Sequence, residues 1–300
     1  MVVLIHVSRR RTTGKDKFLG RLSDEIERQG HKVVRSPKEK HDIYLDRISF
    51  KWDTGAPRIL RLNGVHINSD RPMKKPNDEI RHHAKRADGI VYQSQFCKQM
   101  NERYATYGLK IPNRVIFNGA PVVRRRSKLA TLYDRTFVAC ARWRPHKRLN
   151  DIVEAFGLAN IPNAELVVLG KVTPRCVPNV RFMGTVSQDV VEALMTNAVA
   201  SIHIAYLDWC PNSVVEAQMC GCPVITNNVG GTREIAPEHV VEIDPEYYGK
   251  SVRLYHPPLV DRHKIASAMW ASLKWEPPQT DHIDIRNVAK QYIEFMETLL

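Results

Sequence analysis

Short apolar runs alternate with helix-forming segments along this chain. The apolar run at residues 2–7 precedes a predicted helix over residues 16–29, whose apolar side chains recur at helical spacing on one face. Gly30 ends that helix, and residues 31–34 form the next predicted strand. Because repeated strand–helix–strand units fold into parallel sheets covered by helices, we expect a doubly wound α/β architecture.

The alternation is interrupted in the middle of the chain. Asn118, Gly119 and Pro121 break the pattern, a polar stretch follows at residues 124–128, and a new strand is predicted at residues 136–141. A length of 300 residues suits about two domains of roughly 100–200 residues each. We therefore predict a first domain at 1–122, a second at 127–284, and a closing helix at 285–300 that can cross back to the first.

Positive charge is concentrated in the predicted first domain. Residues 1–126 hold 28 Lys and Arg against 13 Asp and Glu, a net charge of +15, whereas residues 127–300 hold 17 against 19, a net charge of −2. This asymmetry indicates an anionic partner for the first domain: nucleic acid, acidic lipid headgroups or an acidic glycan. A solvated basic surface without a partner is the alternative.

The remaining composition excludes several classes of protein. Hydrophobic residues make up 43% of the chain, enough for two cores, and no apolar run approaches the ~18 residues of a membrane span. The apolar N-terminus lacks a basic leader, and the six cysteines include no C-x-x-C pair. Both features favour a reducing compartment. We expect a cytoplasmic protein, with peripheral attachment to a membrane as the other option.

The most distinctive stretch is residues 208–226. Asp208 and Glu216 stand eight positions apart, and Asn212 and Ser213 between them predict a helix start, with their side chains as caps. Gly221 closes the short helix, and a buried strand follows. A helix start after an apolar strand is a potential anion site, although an ordinary strand–helix–strand unit would show the same pattern.

Two other loops follow predicted strands. Arg142 and Lys147 come after the strand at 136–141 and supply two cations on one loop. Asn63 and His66 come after a strand at residues 58–62. In α/β folds, ligands bind outside the carboxyl ends of the strands, so these side chains are candidate binding residues; the alternative is that they are ordinary surface groups.

The chain resembles retaining glycosyltransferases of the GT-B fold, specifically the family 4 type of group 1 transferases. The resemblance covers most of residues 87–236, in the family's order, and is carried by the following stretches: Ala87 to Ser94, Val115 to Gly119, Arg142-x5-Lys147, Leu166 to Gly170, Arg181 to Val186, Asp208-x7-Glu216 with Gly221 and Pro223 to Ile225, and Val229 to Glu234.

The resemblance implies two Rossmann-like domains facing a central cleft, with the acceptor side in the first and a nucleotide-sugar donor in the second. The expected roles are diphosphate binding by Arg142 and Lys147 and by the amides of Asn212, Ser213 and Val214, ribose binding by Glu216, contact of Asp208 with the donor sugar, and contact of Gly184 and Val186 with the base. Arg142, Lys147, Asp208 and His66 are the expected catalytic residues.

The implied reaction is retaining transfer of a sugar to a hydroxyl of a glycan or lipid-linked glycan. No cofactor and no metal are expected, because the cations and the helix dipole can stabilise the leaving diphosphate. Two alternatives remain: transfer to modified DNA bases, or a catalytically degenerate nucleic-acid-binding protein on the same scaffold. In both alternatives the anionic partner of the basic first domain would be DNA. For transfer to a glycan or lipid-linked glycan, that partner would be a membrane surface.

The chain also departs from the family pattern. Asp208 stands where the family usually has Glu, and Trp209 stands where Gly is common, which narrows the expected pocket for the donor sugar. The loop after the first strand lacks the family's Gly-Gly pair and offers Arg11 and Gly14 among its residues. These two, with Asn63, are the candidates on the acceptor side.

Overall fold

The computed structural model describes residues 1–6, 14–123, 133–245 and 252–300. The chain divides into two compact units. The first comprises Met1–Pro121 together with Asp281–Leu300, and the second comprises Val122–Thr280. The last helix of the chain therefore belongs to the first unit.

The elements of the first 121 residues alternate as the sequence predicts. In chain order they are β1 (Val2–Ile5), α1 (Gly14–Arg28), β2 (Lys32–Val34), β3 (Ile43–Arg47), β4 (Arg58–Leu62), α2 (Lys74–Ala84), β5 (Gly89–Tyr92), α3 (Gln95–Tyr104) and β6 (Asn113–Val115).

The rest of the chain repeats the pattern. Its elements are β7 (Arg135–Cys140), α4 (Leu149–Ala159), β8 (Ala164–Leu169), β9 (Val180–Gly184), α5 (Gln188–Asn197), β10 (Ala200–His203), α6 (Asn212–Met219), β11 (Val224–Asn227), α7 (Thr232–Ile235), β12 (Val240–Val241), α8 (Arg262–Ala271) and α9 (Ile285–Glu297). Short 3₁₀ turns lie at Pro145–Lys147, Ser272–Lys274 and Asp281–Ile283.

The first unit is built on a six-stranded parallel sheet with the order β2-β1-β3-β4-β5-β6. The apolar face of α1 packs into its core, where Phe18, Leu22 and Ile26 are at most 1% exposed. Helix α9 joins this core through Tyr292, whose ring lies 6.2 Å from that of Phe18. The apolar side chains that recur at helical spacing in α1 thus face the sheet, as the sequence predicts.

The second unit is built on another six-stranded parallel sheet, with the order β12-β11-β10-β7-β8-β9. Its core contains Phe137 of β7 and Phe156 of α4, with ring centroids 6.1 Å apart, and Ile265 and Met269 of α8. The chain order of the strands reverses between β7 and β10. In doubly wound sheets this reversal opens a crevice at the carboxyl ends of the two strands, where ligands bind.

Several predicted boundaries differ from the structure. The apolar run at residues 115–117 predicts a strand there, but β6 lies at 113–115, because its register pairs Val115 with Tyr92. Ser94 predicts a helix cap, with a helix running to about residue 107; helix α3 does begin after Ser94 but ends at Tyr104. The two-residue strand β12 was not predicted, since two apolar residues give too weak a pattern. Within the described residues, no helix is long and apolar enough to cross a membrane.

Candidate nucleotide-sugar site

The loops after β7 and β10 meet at the reversal of strand order in the second sheet. Strand β10 pairs in parallel with β7, with Ser201 opposite Val138, so both strands end at the same edge. The first loop carries Arg142 and Lys147, and the second carries Asp208. The fold therefore places these predicted site residues at the edge where a doubly wound sheet binds its ligand.

Arg148 anchors the loop after β7. The loop forms a 3₁₀ turn at Pro145–Lys147 and then turns into α4 through Arg148, whose φ is +56°. The buried guanidinium donates to both carboxylate oxygens of Asp244, at 2.7 and 2.5 Å, and to the carbonyl of Ile204, at 3.3 Å. A bidentate pair of this kind fixes geometry as well as charge. Arg148 thus ties the loops after β7 and β10 to the segment after β12.

Asp208 is held by three hydrogen-bond donors. The ammonium group of Lys147 and Nε2 of His203 both contact its Oδ2 atom, the latter at 3.0 Å, and the backbone N–H of Trp209 donates to Oδ1 at 2.9 Å. The side chains of Lys147 and Asp208 are each 14% exposed, and that of His203 is 5% exposed. The carboxylate is therefore fixed in direction yet not sealed from a ligand.

The electrostatics of this cluster keep Asp208 ionised. Burial pushes the pKa of Asp208 upward, but the Lys147 charge and the His203 hydrogen bond outweigh burial and hold that pKa well below its usual range. Burial, followed by the Lys147 charge, lowers the pKa of His203. The imidazole is therefore neutral near neutral pH, and since Asp208 only accepts hydrogen bonds, the proton is assigned to Nε2 of His203.

The loop after β11 packs against the backbone of Asp208. Gly231 donates its N–H to the carbonyl oxygen of Asp208 at 2.8 Å. Gly230 has a φ of +81°, and a Cβ atom on it would lie 2.8 Å from that same oxygen. Only glycine permits both this left-handed conformation and this close approach. The position of Asp208 is thus set by three separate loops.

Helix α6 starts three residues after Trp209, but its cap differs from the prediction. Pro211 occupies the cap position, and Asn212 and Ser213 are the first helical residues rather than side-chain caps. The proline ring offers no acceptor, so it cannot cap the helix. The N–H of Val214 donates to the carbonyl of Pro211 at 3.1 Å, and is therefore already used within the turn. Glu216 lies one turn into the helix and is half-buried.

Strands β8 and β9 end at the same edge of the sheet as β7. Gly170 donates its N–H to the carbonyl of Gly184 at 2.7 Å, and a Cβ atom on Gly170 would lie only 2.0 Å from the carbonyl oxygen of Ala141. Arg142 therefore follows β7, and Gly184 and Val186 lie at the end of β9, with β8 between the two strands. Arg142 is exposed, and the other two residues are half-buried.

The remaining predicted residues lie in the first unit. Asn77 clamps the loop after β4 by accepting from the backbone N–H of His66 at 2.9 Å and donating to its carbonyl at 2.8 Å, while the His66 ring is exposed. The buried guanidinium of Arg61 donates to the side chain of Asn63. Gly14 begins α1, and Arg11 lies outside the described residues. Asn63 and His66 thus share one well-supported loop.

Comparison with known proteins decides what the second unit is. Residues 124–246 match the sequence profile of the family described as glycosyl transferases group 1. This part of the chain is therefore similar to a group 1 glycosyl transferase domain. No curated protein sequence matches the chain significantly.

Solved glycosyltransferase structures share the fold of both sheets. The HepE protein of Anabaena in complex with UDP and glucose superposes with a TM-score of 0.67 at 12% identity, over 99% of each chain. Sucrose-phosphate synthase from Thermosynechococcus elongatus gives 0.66 at 15% identity, over 99% of this chain and 94% of that one. The lipopolysaccharide outer core galactosyltransferase WaaB gives 0.65 at 14%, over 100% and 99%. The chain therefore has the GT-B fold that the sequence predicts.

Sequence reasoning missed two residues of the glycosyl transferase domain. His203 ends β10 five positions before Asp208, and a polar residue at the end of an apolar strand is the signal that could have found it. Asp244 has no such signal, because its partner Arg148 lies 96 residues away. Within the described residues, no group of three or more His, Cys, Asp or Glu side chains is placed to hold a metal ion.

Proposed function

We propose that the protein is a retaining, metal-independent glycosyltransferase that takes a sugar from a nucleotide-diphosphate donor. The observation that carries the proposal is the Lys147–Asp208–His203 cluster at the reversal of strand order, inside a group 1 glycosyl transferase domain. The UDP and glucose of the HepE structure support a nucleotide sugar as the donor.

The diphosphate of the donor binds between two loops and a helix start. The ammonium group of Lys147 has three N–H donors, so its bond to Asp208 leaves two for phosphate oxygens. Arg142 adds a second cation from the same loop, and the first amides of α6 add the positive end of a helix dipole. Glu216 accepts hydrogen bonds from the ribose, and Gly184 and Val186 contact the base.

Transfer follows from this arrangement of charge. The bond between the sugar C1 atom and the phosphate oxygen breaks while C1 bonds to the acceptor oxygen on the same face. The acceptor proton passes to the departing phosphate oxygen, whose negative charge Lys147 and Arg142 stabilise. The Asp208 carboxylate, ionised throughout, stabilises the positive charge that develops on the ring. Because the cations are protein side chains, we expect turnover to continue in EDTA.

A thermal-shift screen of UDP-, GDP-, ADP- and TDP-glucose tests the donor class directly. We expect one of the four to raise the melting temperature, and the variant Lys147→Ala to lose most of that shift.

Removing one group that stabilises a developing anion commonly costs roughly 10²–10³-fold in turnover. Lys147→Ala and Glu216→Ala should therefore both lose donor hydrolysis and transfer, whereas Lys274→Ala, which removes an exposed lysine outside the site loops, should retain them. Full activity in the first two variants would refute the site.

For the acceptor, we propose a hydroxyl of a glycan or lipid-linked glycan presented at an anionic membrane surface. The support is the net charge of +15 over residues 1–126, since each Lys or Arg near an anionic surface contributes about 1 kcal/mol of attraction. Vesicles with and without phosphatidylserine, at low and at raised salt, test the surface. Binding that requires the anionic lipid and weakens with salt is expected; binding to duplex DNA alone would overturn the proposal.

His66 is proposed to contact the donor or the acceptor. Its backbone is clamped by Asn77 and its ring is exposed, so the ring is available on a rigid loop. His66→Ala should therefore impair turnover without lowering the melting temperature. The matched control is His82→Ala, which removes an exposed histidine from α2 and should have no effect on turnover.

A further inference from the structure

His203 is a buried polar residue that belongs to none of the predicted motifs. It is the last residue of β10, its side chain is 5% exposed, and its Nε2 atom lies 3.0 Å from Oδ2 of Asp208. Because His203 belongs to β10, the strand fixes the position of its backbone. A buried imidazole directed at a candidate catalytic carboxylate has few purely packing reasons to be there.

The three donors divide the two oxygens of Asp208 unequally. Among the described residues, Oδ2 accepts from both Lys147 and His203, whereas Oδ1 accepts only from the backbone N–H of Trp209. Each carboxylate oxygen can accept about two hydrogen bonds. These three bonds therefore fill Oδ2 and leave one position on Oδ1, which makes Oδ1 the oxygen that can meet a ligand.

We propose that His203 is a positioning residue that holds Oδ2 of Asp208, so that Oδ1 is presented to the donor sugar. This inference rests on the proposed function, because it assigns His203 a role in sugar transfer. Lys147 alone could not hold the carboxylate during the reaction, since its flexible stem must also follow the diphosphate. The ring of His203 has only two rotatable bonds and lies on a strand, so it keeps Asp208 in place when Lys147 turns toward the phosphates.

The neutral state of His203 suits this role. A neutral donor fixes the direction of the carboxylate without cancelling its charge, and that charge is what stabilises a positive sugar ring. Among the described residues, the charged and titratable groups that interact with the carboxylate are Lys147 and His146 from the loop after β7, in addition to His203 itself. Of these, Lys147 and His203 bond directly to Asp208.

Two replacements of His203 separate positioning from packing. His203→Gln keeps a side-chain N–H donor near the Nε2 position, whereas His203→Phe keeps a ring of similar size but removes the donor. His239→Phe is the matched control, because His239 is a half-buried histidine of the same unit that stacks on Trp275 at 3.4 Å, a contact that a phenyl ring can keep. Melting temperatures establish that each variant is folded.

The readout is steady-state turnover of whichever of UDP-, GDP-, ADP- and TDP-glucose stabilises the wild type, with affinity for the matching nucleoside diphosphate measured separately. Groups that orient a reactive residue commonly contribute roughly 10–100-fold. We expect His203→Phe to lower kcat by about that factor while KM and diphosphate affinity change little, as for an interaction made mainly in the transition state. His203→Gln should recover most of kcat, and the acid limb of the pH profile should move to higher pH in His203→Phe, because Asp208 loses a donor.

Several outcomes would overturn the inference. Wild-type kcat in His203→Phe would do so, as would equal losses in the Gln and Phe variants, which indicate packing alone. If His203→Phe does not fold, His203→Gln combined with Asp208→Asn decides: once Asp208 is neutralised, the Gln replacement should have no further effect on kcat, and an independent loss refutes positioning. If the wild type binds none of the four nucleotide sugars, the proposed function fails first, and the inference fails with it.

Discussion

Gly230 offers the sharpest test of whether the backbone around Asp208 controls activity. Its φ is +81°, and an added Cβ atom would lie 2.8 Å from the carbonyl oxygen of Asp208 and 3.0 Å from its nitrogen. Left-handed backbone costs an L-residue roughly 1–2 kcal/mol, and overpacking adds about 1–3 kcal/mol. Because the crowded atoms belong to the main chain, no flexible side chain can move aside. Gly230→Ala should therefore lower the free energy of unfolding by about 2–5 kcal/mol and displace Asp208.

Gly221→Ala is the matched control for this replacement. Gly221 has a φ of +75°, but no heavy atom of the described residues lies within 4 Å of its added Cβ atom, apart from its chain neighbours. Gly221→Ala should therefore cost only the conformational part, about 1–2 kcal/mol. Urea unfolding measures the difference in stability, and turnover of the nucleotide sugar at a temperature where both variants are folded measures the consequence. Equal stability losses, or wild-type turnover in Gly230→Ala, would refute the reasoning.

Two further replacements test other parts of the second unit. Arg148→Met leaves the buried Asp244 carboxylate without its cation and should cost about 3–5 kcal/mol in urea unfolding. The same replacement of Arg262, whose side chain is 38% exposed and pairs with Asp151 and Glu154, should leave stability almost unchanged. Burial, followed by the Lys147 charge, lowers the pKa of His146 to about 4. The unfolded state therefore binds this proton more readily, and the free energy of unfolding should fall as the pH drops from ~6.5 toward 4. His146→Phe should reduce that slope by about 1.4 kcal/mol per pH unit, and an unchanged slope in unfolding curves across this range would contradict the assignment.

The sequence was informative wherever the signal is local. Strand β4 was predicted to the residue, because its Ile and Leu residues lie between Pro57 and Asn63, which favour turns. The helix starting after Ser94 was found from its cap. Strand β6 was misplaced by two residues, since its position depends on pairing with β5 rather than on its own apolar content.

The same distinction applies to the site. Lys147 and Asp208 were assigned to one site by the family resemblance, which agrees with their positions after strands, and the structure joins them across 61 residues of sequence. The direction of the Asp208 carboxylate could not be predicted, because it depends on the ring of His203 and on the Gly230–Gly231 backbone reaching it from another loop. Local patterns identify the strand ends, but the contacts among those ends arise only when the sheet forms.

Two consecutive cations in the loop after β7 serve different purposes, and their burial explains why. The side chains of Arg148 and Asp244 are both 0% exposed, so breaking that pair would leave an unsolvated charge and the pair stays closed. Lys147 and Asp208 are partly exposed, so the diphosphate of the proposed donor can share the ammonium group at lower cost. The positive φ of Arg148 turns the chain so that neighbouring side chains reach different acids. A rigid, bidentate guanidinium suits the anchor, and a compact ammonium on a flexible stem suits a ligand that arrives and leaves. Exchanging the two residues would therefore disable both functions, although the charge of the loop would not change.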